Sequence, residues 1–125
     1  MRKIEKRGRD GEQLTADYLR ERGFIIAQRN FHSRYGEIDI IAENEQYILF
    51  VEVKTRIRGA LVKPGEAVDI HKQRKIAQTA QFYIMKSFCE LQPRFDVAEV
   101  TVSDESECEE YEINYIENAF SPEAL

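Results

Sequence analysis

The sequence predicts an α/β domain in which a mixed central sheet is flanked by helices. Two long segments carry apolar residues at helical spacing, and five shorter segments have the apolar, partly β-branched or alternating character of strands. The segments occur in the order helix, three strands, helix and two strands, which fits neither a helical bundle nor a β-sandwich. A chain of 125 residues has room for one hydrophobic core, so residues 1–125 are expected to form a single domain.

The first half of the chain begins with a predicted helix from Asp10 to Gly23. Asp10 is placed to cap it, and Gln13, three residues on, is expected to reach back in a capping box. Gly23 suits the left-handed conformation that follows a helix end. Three predicted strands follow, over residues 24–28, 36–42 and 47–56.

The second half of the chain begins with a loop through Gly59, Pro64 and Gly65 and continues with a long predicted helix over residues 69–88. Pro93 is expected to break the chain before the last two strands, over residues 94–102 and 111–116, which an acidic loop at 103–110 separates. One buried helix face is predicted from apolar residues at i, i+4, i+7 and i+8 spacing: Ile76, Ala80, Tyr83, Ile84 and Phe88.

Composition excludes several classes of protein. The longest apolar runs are far too short to cross a bilayer, and no apolar segment follows the N-terminal Met-Arg-Lys, so we expect a cytoplasmic protein without a membrane partner. Cys89 and Cys108 are the two cysteines, and in a chain without an export signal they are expected to be free thiols. Their spacing from the two histidines does not predict a zinc site.

Charge is distributed unevenly along the chain. The net charge of −5 argues against indiscriminate binding to nucleic acid, because phosphate contacts need Lys and Arg. However, the first 34 residues carry nine Lys or Arg against five Asp or Glu, whereas residues 76–125 carry two against eleven. This asymmetry is compatible with one basic face that meets a polyanion, and equally with ordinary solvated surfaces.

The residues that point to chemistry lie on the second and third predicted strands. Alternation along a strand places Glu52 and Lys54 on one face, together with Ile48 and Phe50. On the preceding strand, Glu37, Asp39 and Ile41 are expected to share a face. If the hairpin pairs odd positions with even ones, the three charged groups converge on the same side of the sheet: Asp39, Glu52 and Lys54.

The register of this hairpin is left open by the sequence. Pairing Asp39 with Glu52 requires a two-residue turn at Glu45-Gln46, and these residues are poorly suited to a tight turn. Another odd-to-even register with a longer loop satisfies the same condition.

Charged side chains inside apolar strands need partners, because burying an unpaired ion costs several kcal/mol. Two adjacent carboxylates suit Mg²⁺ or Mn²⁺, which keeps several waters and bridges to phosphate. Asp39 and Glu52 are therefore predicted as metal ligands, and Lys54 as the group that orients or deprotonates the attacking water. The alternative is a buried structural salt bridge, and Glu-x-Lys by itself is more often a solvated strand face.

A further acid and several basic residues are secondary candidates. Glu12 lies in the first turn of the first helix, where it serves either the helix dipole or a metal-facing role. Lys72 lies near the start of the long helix, where the dipole does not favour a cation, so a phosphate contact is one interpretation and a solvated face the other. The candidates for nucleic-acid contacts are Arg29, Arg34, Arg56 and Lys72, with Arg58 beside them.

Taken together, these segments resemble the YraN-type family of uncharacterised bacterial proteins, which are predicted endonucleases similar to archaeal Holliday-junction resolvases. The resemblance covers almost the whole chain. Its principal segments are Gly11-Glu12, Arg29-Asn30-Phe31, Gly36-Glu37-Ile38-Asp39, Phe50-Val51-Glu52-Val53-Lys54-Thr55-Arg56, Arg94-Phe95-Asp96-Val97 and Asn118-Ala119-Phe120.

The resemblance implies a restriction-endonuclease-like fold with an αβββαβ core and a PD-(D/E)xK site. Asp39 then corresponds to the first acid of that motif, Glu52 to the second and Lys54 to its lysine, while Glu12 corresponds to an acid of the first helix near the metal. Ile38 stands where the motif name has proline, which ligates nothing. The implied function is Mg²⁺- or Mn²⁺-dependent hydrolysis of DNA, rather than RNA, at branched or single-stranded sites, by a homodimer. A nucleic-acid-binding module that cuts nothing, and an interaction protein with a structural carboxylate network, remain the alternatives.

Overall fold

The protein folds as two helices and a five-stranded sheet. The computed structural model describes residues 10–57, 68–102 and 111–121. The predicted loop through Gly59, Pro64 and Gly65 lies outside these ranges, as do the acidic loop at 103–110, Arg58 and Cys108. The elements in chain order are α1 (Gly11–Glu21), β1 (Ile25–Ser33), β2 (Gly36–Glu43), β3 (Tyr47–Ile57), α2 (Ile70–Ser87), β4 (Gln92–Val102) and β5 (Tyr111–Phe120).

The strands lie in the sheet in their sequence order, β1-β2-β3-β4-β5. Neighbouring strands are antiparallel except β3 and β4, which run parallel and pair without interruption from Tyr47–Gln92 to Ile57–Val102. Because a parallel pair requires a crossover connection, α2 is the helix that carries the chain from β3 back to the start of β4. The predicted mixed α/β architecture is therefore confirmed.

The two helices pack on opposite faces of the sheet. Leu49 and Val51 of β3 belong to a buried cluster with Ala16 and Leu19 of α1, whereas the alternate residue Phe50 faces α2. The α2-side cluster consists of Ile38, Ile41, Ile48, Phe50, Val68, Ile76, Ala80, Phe95 and Val97. The sheet is thus covered on both sides, and polar groups at its centre are shielded from water.

The ends of α1 follow the prediction in part. The side chain of Asp10 accepts a hydrogen bond from the Gln13 N–H at 3.0 Å, and Gly23 has a φ of +92°. The expected capping box is not completed, because the Gln13 side chain points elsewhere. Its amide nitrogen donates to Asp17 and its oxygen accepts from Arg29, each at 2.9 Å.

Some predicted boundaries were too short, and one core residue was wrong. β1 extends to Ser33, β5 extends to Phe120, and Pro93 lies inside β4 rather than before it. Phe88 is 88% exposed instead of buried. It adopts a left-handed conformation with a φ of +55° as the C-cap of α2, so its side chain leaves the apolar face of the helix.

Two findings bear on cellular context. No helix in the described part of the chain is long and apolar enough to span a membrane. Cys89 carries a free thiol and is partly buried against the α2-side core.

Candidate functional site

The candidate site lies where β2 and β3 stop pairing. Their ladder runs from Glu43–Ile48 to Ile40–Val51 and ends there, although both strands continue. Extending the same register by one residue sets Asp39 opposite Glu52. In place of a further backbone bond, Oδ2 of Asp39 accepts a hydrogen bond from the Val53 N–H at 2.8 Å.

A two-residue turn at Glu45-Gln46 sets this register, and the side chain of Asn44 stabilises that turn. The Asn44 side-chain oxygen accepts hydrogen bonds from the N–H groups of Gln46 (2.9 Å) and Tyr47 (2.8 Å). The Asn44 N–H in turn donates to the Tyr47 carbonyl at 3.0 Å. The side chain of the preceding residue therefore compensates for the poor turn residues Glu45 and Gln46.

The alternation of β2 breaks at Asp39, contrary to expectation. Ile38 and Ile41 both belong to the α2-side cluster, although residues three apart in a regular strand face opposite ways. Asn30, on the facing part of β1, has a φ of +53°. Glu37, Asp39 and Ile41 therefore do not form one continuous face, and Asp39 lies at an irregular point of the sheet.

Asp39 and Glu52 form the centre of the site. The pKa of Asp39 is raised to about 6. Burial is the largest cause, the negative charge of Glu52 adds to it, and the hydrogen bond from Val53 opposes both. Glu52 is 7% exposed. Two carboxylates close together and shielded from water repel each other, and a bound cation would relieve that repulsion.

Glu12 approaches the same point from α1. A Cβ atom on Gly11 would collide with Oγ1 of Thr55, so only glycine allows the start of α1 to lie this close to β3. Burial and the charge of Asp39 raise the pKa of Glu12, and Arg29 lowers it. The Arg29 guanidinium lies 3.7 Å from the Glu12 carboxylate.

Lys72 reaches the site from the first turn of α2. Its Nζ lies 2.8 Å from Oε2 of Glu52, and its side chain is half exposed. The hydrogen bond to Glu52 and the charges of Glu52, Asp39 and Glu37 raise the pKa of Lys72. Lys72, interpreted from the sequence as either a phosphate contact or part of a solvated face, is thus an ion-pair partner of the buried Glu52.

Lys54, predicted to converge with both acids, lies on β3 with Glu52. It follows Glu52 by two positions, and so by strand alternation shares its face. Its side chain lines a cavity of about 140 Å³ on the α2 side of the sheet, toward β4 and β5. Gln73, Glu99 and Phe120 line the same cavity. The ammonium group paired with Glu52 is that of Lys72.

The remaining basic candidates, Arg29, Arg34 and Arg56, lie on different elements of the fold. Arg29 is held against α1 by Gln13 and Glu12. Arg34 lies in the turn between β1 and β2, where its guanidinium donates to the Tyr35 hydroxyl at 3.2 Å. Arg56 lies near the end of β3 and is partly buried.

Two features of the site were missed by the sequence reasoning. One is the Val53 N–H, a backbone group that no residue type reveals. The other is Asn30, whose amide lowers the pKa of Glu12 and whose backbone is left-handed. An asparagine inside an otherwise extended segment is a recognisable signal, because Asn adopts this conformation more readily than most residues.

The donor set suits a hard cation that keeps much of its water. Within the ranges that the structure describes, no three Asp, Glu, His or Cys side chains are grouped closely enough to hold a metal ion. Asp39 and Glu52 therefore offer two carboxylates rather than a complete cage. Mg²⁺ is commonly bound in this way, through one or two carboxylates together with waters and substrate phosphate.

A second buried acid, Asp96, has a different environment. It is fully buried, and both of its oxygens accept hydrogen bonds from the Arg94 guanidinium. The Tyr115 hydroxyl donates to it at 2.7 Å and the Asn118 N–H at 2.9 Å. Burial and the Asp96 charge raise the pKa of Tyr115. The protein itself satisfies this carboxylate, so its role is structural.

Known proteins are similar to this chain over nearly its whole length. A family model described as "Uncharacterised protein family UPF0102" matches residues 11–100. This range includes Glu12, Asp39, Glu52, Lys54 and Lys72. A UPF0102 protein of Caldanaerobacter subterraneus subsp. tengcongensis is 46% identical over 123 residues, covering 96% of this chain and 100% of that protein. A UPF0102 protein of Clostridium botulinum strain Loch Maree is 44% identical over 115 residues, covering 90% and 92%. One of Clostridium acetobutylicum is 43% identical over 122 residues, covering 96% and 98%.

Proposed function

The chain belongs to the uncharacterised protein family UPF0102, and we propose that it is a divalent-cation-dependent nuclease that hydrolyses phosphodiester bonds in DNA. The observation that carries the proposal is that Asp39 and Glu52 lie together just beyond the last β2–β3 pair, Ile40–Val51. Two shielded carboxylates with one raised pKa are costly for the fold alone, and such arrangements are typical of functional sites.

The roles follow from position. Asp39 and Glu52 would hold Mg²⁺ or Mn²⁺, with Glu12 contributing through a water. Such a cation lowers the pKa of a bound water and neutralises charge on the scissile phosphate. Lys54, on the same face as Glu52, would orient the attacking water. Arg29, Arg34, Arg56 and Lys72 would contact phosphates, which position the substrate without reading its sequence.

The wider assignment belongs to the same proposal. We assign the fold to the restriction-endonuclease-like class, supported by the order αβββαββ and by a site at the divergence of two central strands. DNA with branched or single-stranded character is the proposed substrate, because no element within the described residues resembles a groove-reading helix module. A homodimer in the cytoplasm fits a two-fold substrate.

The decisive experiment is a cleavage assay. Synthetic four-way junctions, flaps and single strands are incubated with the protein and Mg²⁺ or Mn²⁺, beside Asp39→Asn, Glu52→Gln and Lys54→Ala. Glu45→Gln is the matched control, since Glu45 is an exposed acid in the turn of the same hairpin and lies outside the site. We expect cleavage by the wild type and the control and its loss in the three site variants.

Two other outcomes identify the alternatives. Binding of DNA without cleavage under any cation would favour a non-catalytic nucleic-acid-binding module. Absence of both cation and DNA binding would favour a structural carboxylate network, for which the Glu52–Lys72 ion pair is the supporting observation. Cleavage that persists equally in all three site variants would rule out this site as its source.

A further inference from the structure

Lys72 and a divalent cation would both bind the carboxylate of Glu52. The Lys72 ammonium lies 2.8 Å from Oε2 of Glu52, a carboxylate that is itself only 7% exposed. A metal ion bonds to carboxylate oxygen at 2.0–2.6 Å, depending on the ion, so it cannot share that oxygen with an ammonium group at the same side. Two positive centres at this point would also repel each other.

We propose that Lys72 competes with the divalent cation for Glu52, so that the cation binds only when Lys72 withdraws. This inference rests on the proposed function and adds a control of cation binding to it. Lys72 is a positioning residue here, since it acts through Glu52. The ion pair also explains how the two acids are tolerated before the cation arrives, because the ammonium offsets part of their mutual repulsion.

The position of Lys72 allows the exchange. Its side chain is half exposed and extends from the third residue of α2, so rotation about its own bonds can turn the ammonium outward. Outside the site it borders a groove of about 370 Å³, lined also by Gly36, Glu37, Asp69, His71, Lys75 and Ile76. A substrate phosphate in that groove would offer Lys72 a charge-assisted partner in place of Glu52.

A consequence is that DNA and the cation help each other to bind. If a phosphate accepts Lys72, Glu52 becomes available to the cation, and the coupling must act equally in the reverse direction. The free protein then binds the cation weakly, and binding strengthens only with substrate in place.

Cation titration of Lys72→Met tests the competition. Met keeps the apolar stem and removes the charge. By calorimetry without DNA, we expect Mn²⁺ to bind Lys72→Met about 5- to 30-fold more tightly than the wild type, which corresponds to removing a partly exposed ion pair. Lys75→Met is the matched control, because Lys75 is a lysine on the same exposed part of α2. It should change the affinity by no more than about twofold.

The possible failures are distinguishable. If neither the wild type nor Lys72→Met binds a cation, the proposed function fails and this inference falls with it. If the wild type binds Mn²⁺ and Lys72→Met binds it no more tightly than Lys75→Met does, the competition is refuted while the nuclease proposal stands.

A second measurement tests the coupling to substrate. The titration is repeated with a saturating phosphorothioate oligonucleotide, which resists cleavage. We expect the oligonucleotide to tighten Mn²⁺ binding in the wild type and in Lys86→Met, whose lysine lies near the C-terminal end of α2 outside the groove, and to do so much less in Lys72→Met. An equal gain in all three proteins would show that phosphate does not act through Lys72 and would overturn the exchange.

Discussion

The carboxylate of Asp39 accepts a hydrogen bond from the Val53 N–H, 2.8 Å away, across the point where β2 and β3 cease to pair. A side chain thus satisfies a backbone donor that the next step of the ladder would otherwise have satisfied. The bond anchors one carboxylate oxygen and leaves the other for a ligand. It also ties the geometry of the site to the integrity of the hairpin.

Replacing Asp39 with Asn should stabilise the cation-free protein at neutral pH. Burial and Glu52 raise the folded-state pKa of Asp39 from 3.8 to about 6. The folded state therefore holds a proton that the unfolded state has released, so stability falls as pH rises from about 4 to about 6 and stays lower above that range. At pH 7.5, Asp39→Asn should raise the free energy of unfolding by about 1 to 2 kcal/mol, allowing for solvent screening.

Urea denaturation between pH 4 and pH 8 in the presence of a chelator measures this effect. The gain should vanish near pH 4, where Asp39 is protonated in both states. Glu45→Gln, exposed in the turn of the same hairpin, should show no such pH-dependent gain. A gain that is constant across the pH range would contradict the raised pKa as its cause.

Replacing Asp96 should destabilise the protein, whereas replacing Asp39 should stabilise it. Because Arg94, Tyr115 and Asn118 already satisfy its carboxylate, Asp96→Ala leaves buried partners without their acceptor and should cost about 3 to 5 kcal/mol of stability. Tyr115→Phe, a milder change that removes one donor, should cost about 1 kcal/mol. Chemical denaturation measures both losses.

Cation binding separates the two buried acids. Tyr115→Phe should bind Mn²⁺ with the wild-type affinity, whereas Asp39→Asn should lose it. A fall in cation affinity in Tyr115→Phe equal to that in Asp39→Asn would place Asp96 within the functional site after all.

Periodicity and capping predicted most of the fold because they are local properties. The N-cap Asp10, the helix-ending Gly23 and the alternation of Phe50 with Val51 all follow from near neighbours in sequence. The predicted end of β1 and the predicted burial of Phe88 were wrong. The strand continues past a bulge between Ile26 and Gln28, and Phe88 is a left-handed C-cap whose side chain leaves the apolar face of the helix. The ion pair of Lys72 with Glu52 was not predicted, because this contact depends on how α2 crosses the sheet.

The hairpin register could not be predicted from the two turn residues, because it depends on the side chain of Asn44. Considered alone, Glu45-Gln46 is a poor two-residue turn. The outcome depended on one side chain that accepts two backbone N–H groups. Asn44→Ala should therefore destabilise the protein by about 1 to 2 kcal/mol, measured by chemical denaturation.

Asn44→Asp is the matched variant, because its side chain keeps an acceptor for both N–H groups. It should recover most of the stability that Asn44→Ala loses. Equal losses in both variants would mean that the amide hydrogens, rather than the acceptor oxygen, hold the turn.

Adding a single methyl group at Gly11 should displace the neighbouring Glu12. A methyl group there meets Oγ1 of Thr55, so Gly11→Ala must push the start of α1 away from β3. We expect a loss of about 1 to 3 kcal/mol, as for other cases of overpacking, in spite of the better helix propensity of alanine. Because the adjacent Glu12 moves with the helix, cation affinity should fall as well.

Thr55→Ala removes the obstructing oxygen and provides the test of this cause. Thr55 is exposed, so its replacement alone should change stability little. In the double variant, part of the loss should be recovered, with a coupling of about 1 kcal/mol or more in a double-mutant cycle by urea denaturation. Strictly additive effects would show that the close approach of Gly11 to Thr55 does not limit the packing of α1, and that Glu12 owes its position to other contacts.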